Sequence, residues 1–412
     1  MGEFLFLAHR IPFPPDRGDK IRSHHVLKRL AELAPVHVAT FADDDGDAAY
    51  EAELAGLAAS HRLVRRDAPL GRAGLAALVS GRPVSLTAFR HRALTQFVAK
   101  TLRSRPITAI YVFSGQMGQY VPAGFAGRVV IDLVDVDSAK FAAYAAAGRG
   151  PMRWVHGREA RLLAREEARL AARADATLLI SAEEAALFRA GLGVGAAGAE
   201  RVGVLGNGID AGLFEPGVVA PEPRLAGLGG AKLIFTGQMD YPPNVAAVVR
   251  AATRIMPLVR ERFPDAGLHV VGRNPAAAVL ALDGVNGCRV WGRVDDVRPW
   301  LAAADVALVP LEIARGVQNK VLEAMAMALP VVASPGAATG IAAEPGRHFV
   351  VAESDGALAG AVIAQLETPE TAQTMGRAAR EFVIARLSWP AVLAPLPGLM
   401  GMEVTPEARD AA

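Results

Sequence analysis

The stretch "FLFLAHRIPFPPDRGDKIRSHHVLKRLAELAPVHVATF", Phe4 to Phe41, decides the fold class. It opens on an apolar run, "FLFLA", and crosses a proline-rich loop. Helical spacing follows in "KIRSHHVLKRLAELA", and the stretch closes on a second apolar run, "VHVATF". A strand, a helix and a strand in that order form the unit of a parallel sheet, because a parallel return needs a crossover. The alternation continues outward. "AIYVFS" and "RVVIDLVDV" read as strands, a charged helix runs from about Arg153 to Arg173, and "ATLLIS", the helix "AEEAALFRAG" and "VGVLGNGID" follow. A second series starts at Lys232 with "KLIFTG" and a helix from Asn244. It goes on through the short strands "LHVVG", "CRVWG", "DVALVPL", "PVVAS" and "HFVVAE". The expectation is two doubly wound α/β domains with parallel sheets, 1–206 and 207–385, joined through the Gly- and Pro-rich segment Gly206 to Ala231. The segment 386–412, containing "SWPAVLAPLPGLMGM", is a poor continuation of the second sheet and is expected to cross back towards the first domain, with a frayed end.

Composition sets the bounds. A chain of 412 residues exceeds one ordinary core, and 52% hydrophobic residues are ample for two. A net charge of +2 makes no global case for nucleic acid, although basic residues cluster at Arg62 to Arg72 and Gly148 to Arg173. The single cysteine, Cys288, forms no intramolecular disulfide and no cysteine-based metal cluster, and the nine histidines show no ligand spacing. The apolar start has no basic residues before it, unlike a signal peptide, and no run approaches a membrane span. A cytoplasmic protein is expected, in peripheral contact with the membrane at most. The basic helix Arg153 to Arg173 is a candidate for anionic headgroups, or simply a solvated face that Glu159, Glu166 and Glu167 balance.

The segment "RGVQNKVLEAMAMALPVVAS", Arg315 to Ser334, carries the chemistry. In open parallel sheets ligands bind beyond the carboxyl ends of strands, and "DVALVPL" delivers the loop "EIARGVQ" to that edge. The helix from about Gln318 presents its N-terminus there, attractive to phosphate, and Lys320 adds a full charge. Glu323 lies three residues beyond Lys320 and four beyond Asn319, on one face, and a carboxylate suits the hydroxyls of a ribose. A plain surface ion pair between Glu323 and Lys320 fits the spacing equally well.

"GVQNKVLEAMAMALPVVAS", preceded by "WGRVDDVRPWLAAADVALVPL" and "LGNGIDAGLFEP", resembles the nucleotide-sugar-binding half of group 1 retaining glycosyltransferases. "HRIPFPPDRGDKIRSHH", "DLVDVDS" and "GQMDYPPN" are most similar to the sugar transferases of bacterial PEP-CTERM/exosortase exopolysaccharide loci. The resemblance runs from the Gly18 loop to Trp389. It implies the GT-B fold, two Rossmann-like domains facing a cleft, the second for a nucleotide-sugar donor and the first for a glycan or lipid-linked acceptor. It implies that Glu323 holds the donor ribose, and that the family's other glutamate, which usually touches the donor sugar, is replaced here by Arg315, a donor-binding candidate for phosphate or a carboxylate on the sugar. It also implies that Gly237 stands beside the donor phosphates. Gln238 follows where the family has arginine, so Lys320, Arg273 and Arg293 are the cations left for pyrophosphate. Val294 falls in the segment packed around the base, and Gly316, Gln318 and Asn319 complete the donor set. Arg273 and Arg293 also read as ordinary surface arginines.

In the first domain Gly18 is expected in the turn before the first helix, where a glycine admits a donor phosphate or sugar. Asp19, Lys20 and Arg22 follow as acceptor-binding candidates. Asp132, Asp135 and Asp137 end a strand, and Asp135 and Asp137 are candidates to orient or deprotonate an acceptor hydroxyl; capping the next helix is the alternative. Lys320 joins them as a catalytic candidate. No G-x-G-x-x-G is present, which argues against a dinucleotide enzyme. No metal or cofactor is called for, the donor being a co-substrate. A nucleotide-sugar epimerase, or a non-catalytic partner that keeps the fold, are the competing functions.

Overall fold

The computed structural model describes residues 2–66, 70–313 and 316–403. The chain divides into two compact units, the first up to Asn207 together with the residues from Val392 on, the second Gly208–Ala391.

The first unit is built on seven parallel strands: β1 (Glu3–Ala8), β2 (Val36–Ala42), β3 (Ser60–Arg65), β4 (Ile107–Phe113), β5 (Arg128–Val134), β6 (Ala176–Leu179) and β7 (Val202–Val204). Their order across the sheet is β3-β2-β1-β4-β5-β6-β7. The strands near the centre are buried on both faces, which is why they read as unbroken apolar runs; Leu5, Phe6 and Leu7 are fully buried. Helix α1 (Gly18–Leu33) is the crossover read from Phe4 to Phe41, and β1 pairs with β2 in register, Leu5 against His37. Further helices are α2 (Arg92–Ser104), α3 (Asp137–Ala147), α4 (Pro151–Arg173) and α5 (Ala182–Leu192).

The second unit has six parallel strands: β8 (Lys232–Thr236), β9 (Gly267–Val271), β10 (Cys288–Gly292), β11 (Val306–Val309), β12 (Val331–Ala333) and β13 (Val350–Val351). They are ordered β10-β9-β8-β11-β12-β13. Helices α6 (Pro242–Arg250), α7 (Asn319–Ala326), α8 (Asp355–Glu367) and α9 (Pro369–Phe382) pack about it. The reversal of direction at β8 and β11 opens the sheet's carboxyl edge between them, the usual place for a ligand in such sheets.

The two passages of chain at the ends of the second unit are tied together. Ile209 donates its N–H to the Leu387 carbonyl at 2.8 Å and accepts from the Trp389 N–H at 3.2 Å. A side chain at Gly208 would sit 2.8 Å from the Trp389 backbone, so the glycine is what allows this closeness. Beyond Val392 the chain belongs to the first unit. Residues 396–399 lie against α1, the Leu399 carbonyl accepts from Arg128 Nε at 2.6 Å, and Leu396 is fully buried.

Candidate functional site

Three neighbouring strands of the second unit end in glycine. Gly237 follows β8, Gly272 follows β9 and Gly292 closes β10. A Cβ on Gly272 would meet the Gly237 carbonyl oxygen at 1.7 Å, and the Gly272 N–H donates to Gly292 at 2.8 Å. Gly237 has φ +149°, and a Cβ there would lie 2.9 Å from Asn244 Nδ2 and 3.2 Å from Lys320 Cε. The absent side chain is the space into which Lys320 reaches.

Lys320, the second residue of α7, donates from Nζ to Asn244 Oδ1 at 2.6 Å, and its ammonium stands 4.9 Å from the Phe235 ring centroid. Asn244 is itself buried and donates to the Gln238 carbonyl at 2.8 Å, so one amide ties α6, the β8 exit and α7 together. Burial lowers the Lys320 pKa to about 8, against the pull of the Glu323 charge. One turn further, burial pushes the Glu323 carboxyl up, and Lys320 offsets only part of this. Among the described residues no hydrogen-bond donor is engaged by that carboxylate, which leaves its acceptor capacity for a hydroxyl partner. A plain surface pair does not describe this geometry. The Lys320 ammonium is bonded to Asn244, and both charged groups are desolvated.

The loop into α7 is anchored at its start. The largely buried Arg250 donates to the Pro310 carbonyl at 3.2 Å and the Glu353 carbonyl at 2.7 Å, and pairs with Asp355 at 2.5 Å. Ser334 Oγ donates to the Leu311 carbonyl. Gly316 has φ +67°, Gln318 caps α7 without a side-chain cap bond, its Nε2 donates to the Gly316 carbonyl at 3.1 Å, and Asn319 is exposed. Arg315 lies outside the described residues. Arg273 is exposed and donates to Gln238 Oε1 at 3.0 Å, so these two expected donor residues do come together. Arg293 is exposed beside Gly292, and Val294 packs on the core. Sequence reasoning missed Asn244. Its only signal was an asparagine one turn into a helix that follows a strand ending in glycine.

The first unit corrects several expectations. Gly18 is the first residue of α1 rather than part of a turn, its φ is not left-handed, and a side chain there would touch nothing within 4 Å. Lys20 is buried and spent on Asp47, at 2.5 Å, and on the Phe13 carbonyl. Arg22 is 1% exposed and grips Asp132 with two nitrogens, at 2.9 and 3.1 Å, while reaching the Gly206 carbonyl at 2.6 Å. Tyr111 donates its hydroxyl to the same Asp132 carboxylate at 2.7 Å. Neither Lys20 nor Arg22 is placed to meet an acceptor; both hold α1 in position. Asp19 pairs with Arg10 at 2.7 Å and lies 3.4 Å from His9. Burial works to raise its pKa, but hydrogen bonds from His9 and Arg10 outweigh this and hold it below the ordinary carboxylate range.

Asp135 is exposed, whereas Asp137 opens α3 and accepts from Gln116 Nε2 at 3.1 Å. Partial burial and the neighbouring charges of Glu184 and Asp137 push the Asp135 carboxyl up. The segment is held from behind, with Glu184 accepting from the Val136 N–H and Glu167 from the Ser138 N–H. His9, just past β1, was also missed. Its ring stacks on Phe113 at 5.8 Å and its Nδ1 is buried without a hydrogen-bond partner among the described residues. Among the described residues no group of three or more His, Cys, Asp or Glu could hold a metal ion.

Residues 230–368 match the family model described as glycosyl transferases group 1, and this span contains Gly237, Asn244, Lys320 and Glu323. The chain is similar to a phosphatidyl-myo-inositol mannosyltransferase of Propionibacterium freudenreichii subsp. shermanii, 33% identical over 133 residues. That match spans 32% of this chain and 32% of the mannosyltransferase. Among solved structures it resembles Anabaena HepE in complex with UDP, with a TM-score of 0.62, 15% identity, and 97% of this chain and 100% of that one covered. Sucrose-phosphate synthase from Thermosynechococcus elongatus aligns equally well, at 19% identity and TM-score 0.62, covering 97% of this chain and 98% of that one.

Proposed function

We propose that this GT-B-fold chain is a retaining glycosyltransferase. It moves a sugar from a nucleotide diphosphate donor, a UDP-sugar, to a glycan or lipid-linked acceptor in bacterial exopolysaccharide synthesis of the PEP-CTERM/exosortase kind. The observation that carries this reading is the Lys320 ammonium set beside Gly237 by Asn244, with the Glu323 carboxylate one turn along the same helix. The family match over this segment supports it, as does the UDP in the HepE structure.

The chemistry follows from position and charge. Glu323 accepts hydrogen bonds from the ribose hydroxyls, and Val294 lies along the base. Lys320 faces the diphosphate, whose charge grows as the glycosidic bond breaks, so its attraction is stronger in the transition state than in the bound donor. Arg273 and Arg293 add positive charge at the neighbouring strand ends. With that charge supplied by side chains, no cofactor is required. On the first unit Asp135 is the candidate to take the acceptor's proton, since its raised pKa moves it towards the range of a working base.

Incubating the purified protein with UDP-, GDP- and ADP-sugars tests the reading. It expects release of UDP and of a sugar that keeps its anomeric configuration. A changed sugar still bound to nucleotide would mean an epimerase. Tight UDP binding with no turnover in the presence of acceptor glycans would mean a non-catalytic partner.

A further inference from the structure

The first unit carries a surface that this chemistry leaves unused. No Asp or Glu occurs between Asp67 and Asp132, although eight Lys and Arg do. A second acid-free run, residues 138–158, holds Lys140, Arg149, Arg153 and Arg158. The fold brings the two runs together. Arg158 donates to the Ala77 carbonyl at 2.8 Å and the Arg82 carbonyl at 3.2 Å. The next acid along α4, Glu159, is buried and occupied by the Val84 and Ser85 N–H groups at 2.8 and 2.9 Å, so it does not offset the surface charge.

Large apolar side chains stand in water where the runs meet. Trp154 is 59% exposed, Met152 54%, Leu78 56% and Val79 84%. Trp154 lies one turn before Arg158 on the same helix face. Single exposed apolar residues are ordinary; a group of them, with tryptophan between Arg153 and Arg158, is not. That composition is the one that settles at the boundary between lipid headgroups and acyl chains.

We propose that this junction, with Met152 and Trp154 at its tip and Leu78 and Val79 beside them, docks on an anionic lipid bilayer. A bilayer is favoured over a protein partner because the exposed charges flanking Met152 and Trp154, Arg149 and Arg153, are both positive, whereas Lys140 is paired with Asp137 at 3.4 Å and Arg105 with Glu3 at 2.8 Å. Each Lys or Arg near an anionic membrane strengthens binding roughly fivefold. No described helix is long and apolar enough to cross a membrane, so the contact lies on the surface. The proposal fits a lipid-linked acceptor but does not depend on the donor-site reading.

The test is co-sedimentation of the full chain with phosphatidylcholine vesicles, with and without phosphatidylglycerol. Binding is expected only to the anionic vesicles, weakening with salt. The pair Arg149→Glu with Arg153→Glu should weaken it roughly tenfold or more. Met152→Ser with Trp154→Ser should also weaken it, and both variants should bind UDP as the parent does. Tryptophan emission should shift to the blue on binding, and Trp154→Phe should bind yet lose that shift. Equal binding to neutral and anionic vesicles, or binding unchanged in both double variants, overturns the proposal. So does a dimer in solution that the Met152 and Trp154 substitutions dissolve, which would make a second copy the occupant. Vesicle binding without UDP binding would fault the donor site alone.

Discussion

Lys320 is where sequence and chemistry meet most closely. Its depressed pKa, about 8, means the free protein begins to lose this charge just above neutral pH. A bound diphosphate favours the protonated form and raises the pKa, so binding takes up a proton. UDP affinity should therefore fall as pH rises through about 8, and also below about pH 6 as the terminal phosphate of UDP is protonated, while uridine affinity stays level; titration calorimetry in buffers of different ionisation heat measures both. A parallel fall for uridine would mean that the site itself is being lost. Gly237 makes the second residue-scale prediction. Alanine there would have to adopt φ +149° and press on Asn244 and Lys320. Gly237→Ala should cost about 1–3 kcal/mol in denaturant unfolding and weaken UDP binding as Lys320 is displaced. Unchanged stability and affinity would show the close approach to be unimportant.

The elements legible in the sequence are those whose burial is complete. β1, α1 and β2 could be read from Phe4 to Phe41 because central parallel strands bury both faces and leave an uninterrupted apolar run. β3, "SHRLVR", overlaps a basic cluster in the sequence because it is an edge strand, with only Val64 buried, and its pattern stays polar. The helix end at Lys320 and Glu323 was legible from spacing; Asn244 was not, since its partner lies 76 residues away and nothing local marks it. Lys20, Arg22 and Asp132 mislead for the same reason. Charged residues near a strand end suggest a ligand, and only tertiary structure shows them satisfying each other. The Arg22–Asp132 pair fastens α1 to β5 in a site closed to water. Asp132→Leu alone should destabilise the protein by about 3–5 kcal/mol by leaving Arg22 unpaired, while Asp132→Leu with Arg22→Met should cost much less than the two changes summed. Urea unfolding of the two single variants and the double variant decides this, and simple additivity would contradict it.

At the scale of the whole molecule, the proposed division of labour rests on two parallel sheets, each with its own carboxyl edge. The second unit gathers glycines, a desolvated lysine and an uncommitted carboxylate at one helix end. The first unit spends most of its nearby charges on itself and keeps Asp135 exposed. The account stands on the claim that the α7 terminus holds a nucleoside diphosphate. Calorimetric titration of UDP and uridine into the parent, Glu323→Ala and Lys320→Ala tests it most directly. Loss of a hydrogen bond to a charged group costs about 1.5–3 kcal/mol, so Glu323→Ala should weaken both ligands roughly ten- to a hundredfold. Lys320→Ala should weaken UDP and leave uridine unchanged. A parent that binds no nucleoside diphosphate, or a Glu323→Ala variant that binds UDP as the parent does, would contradict the claim.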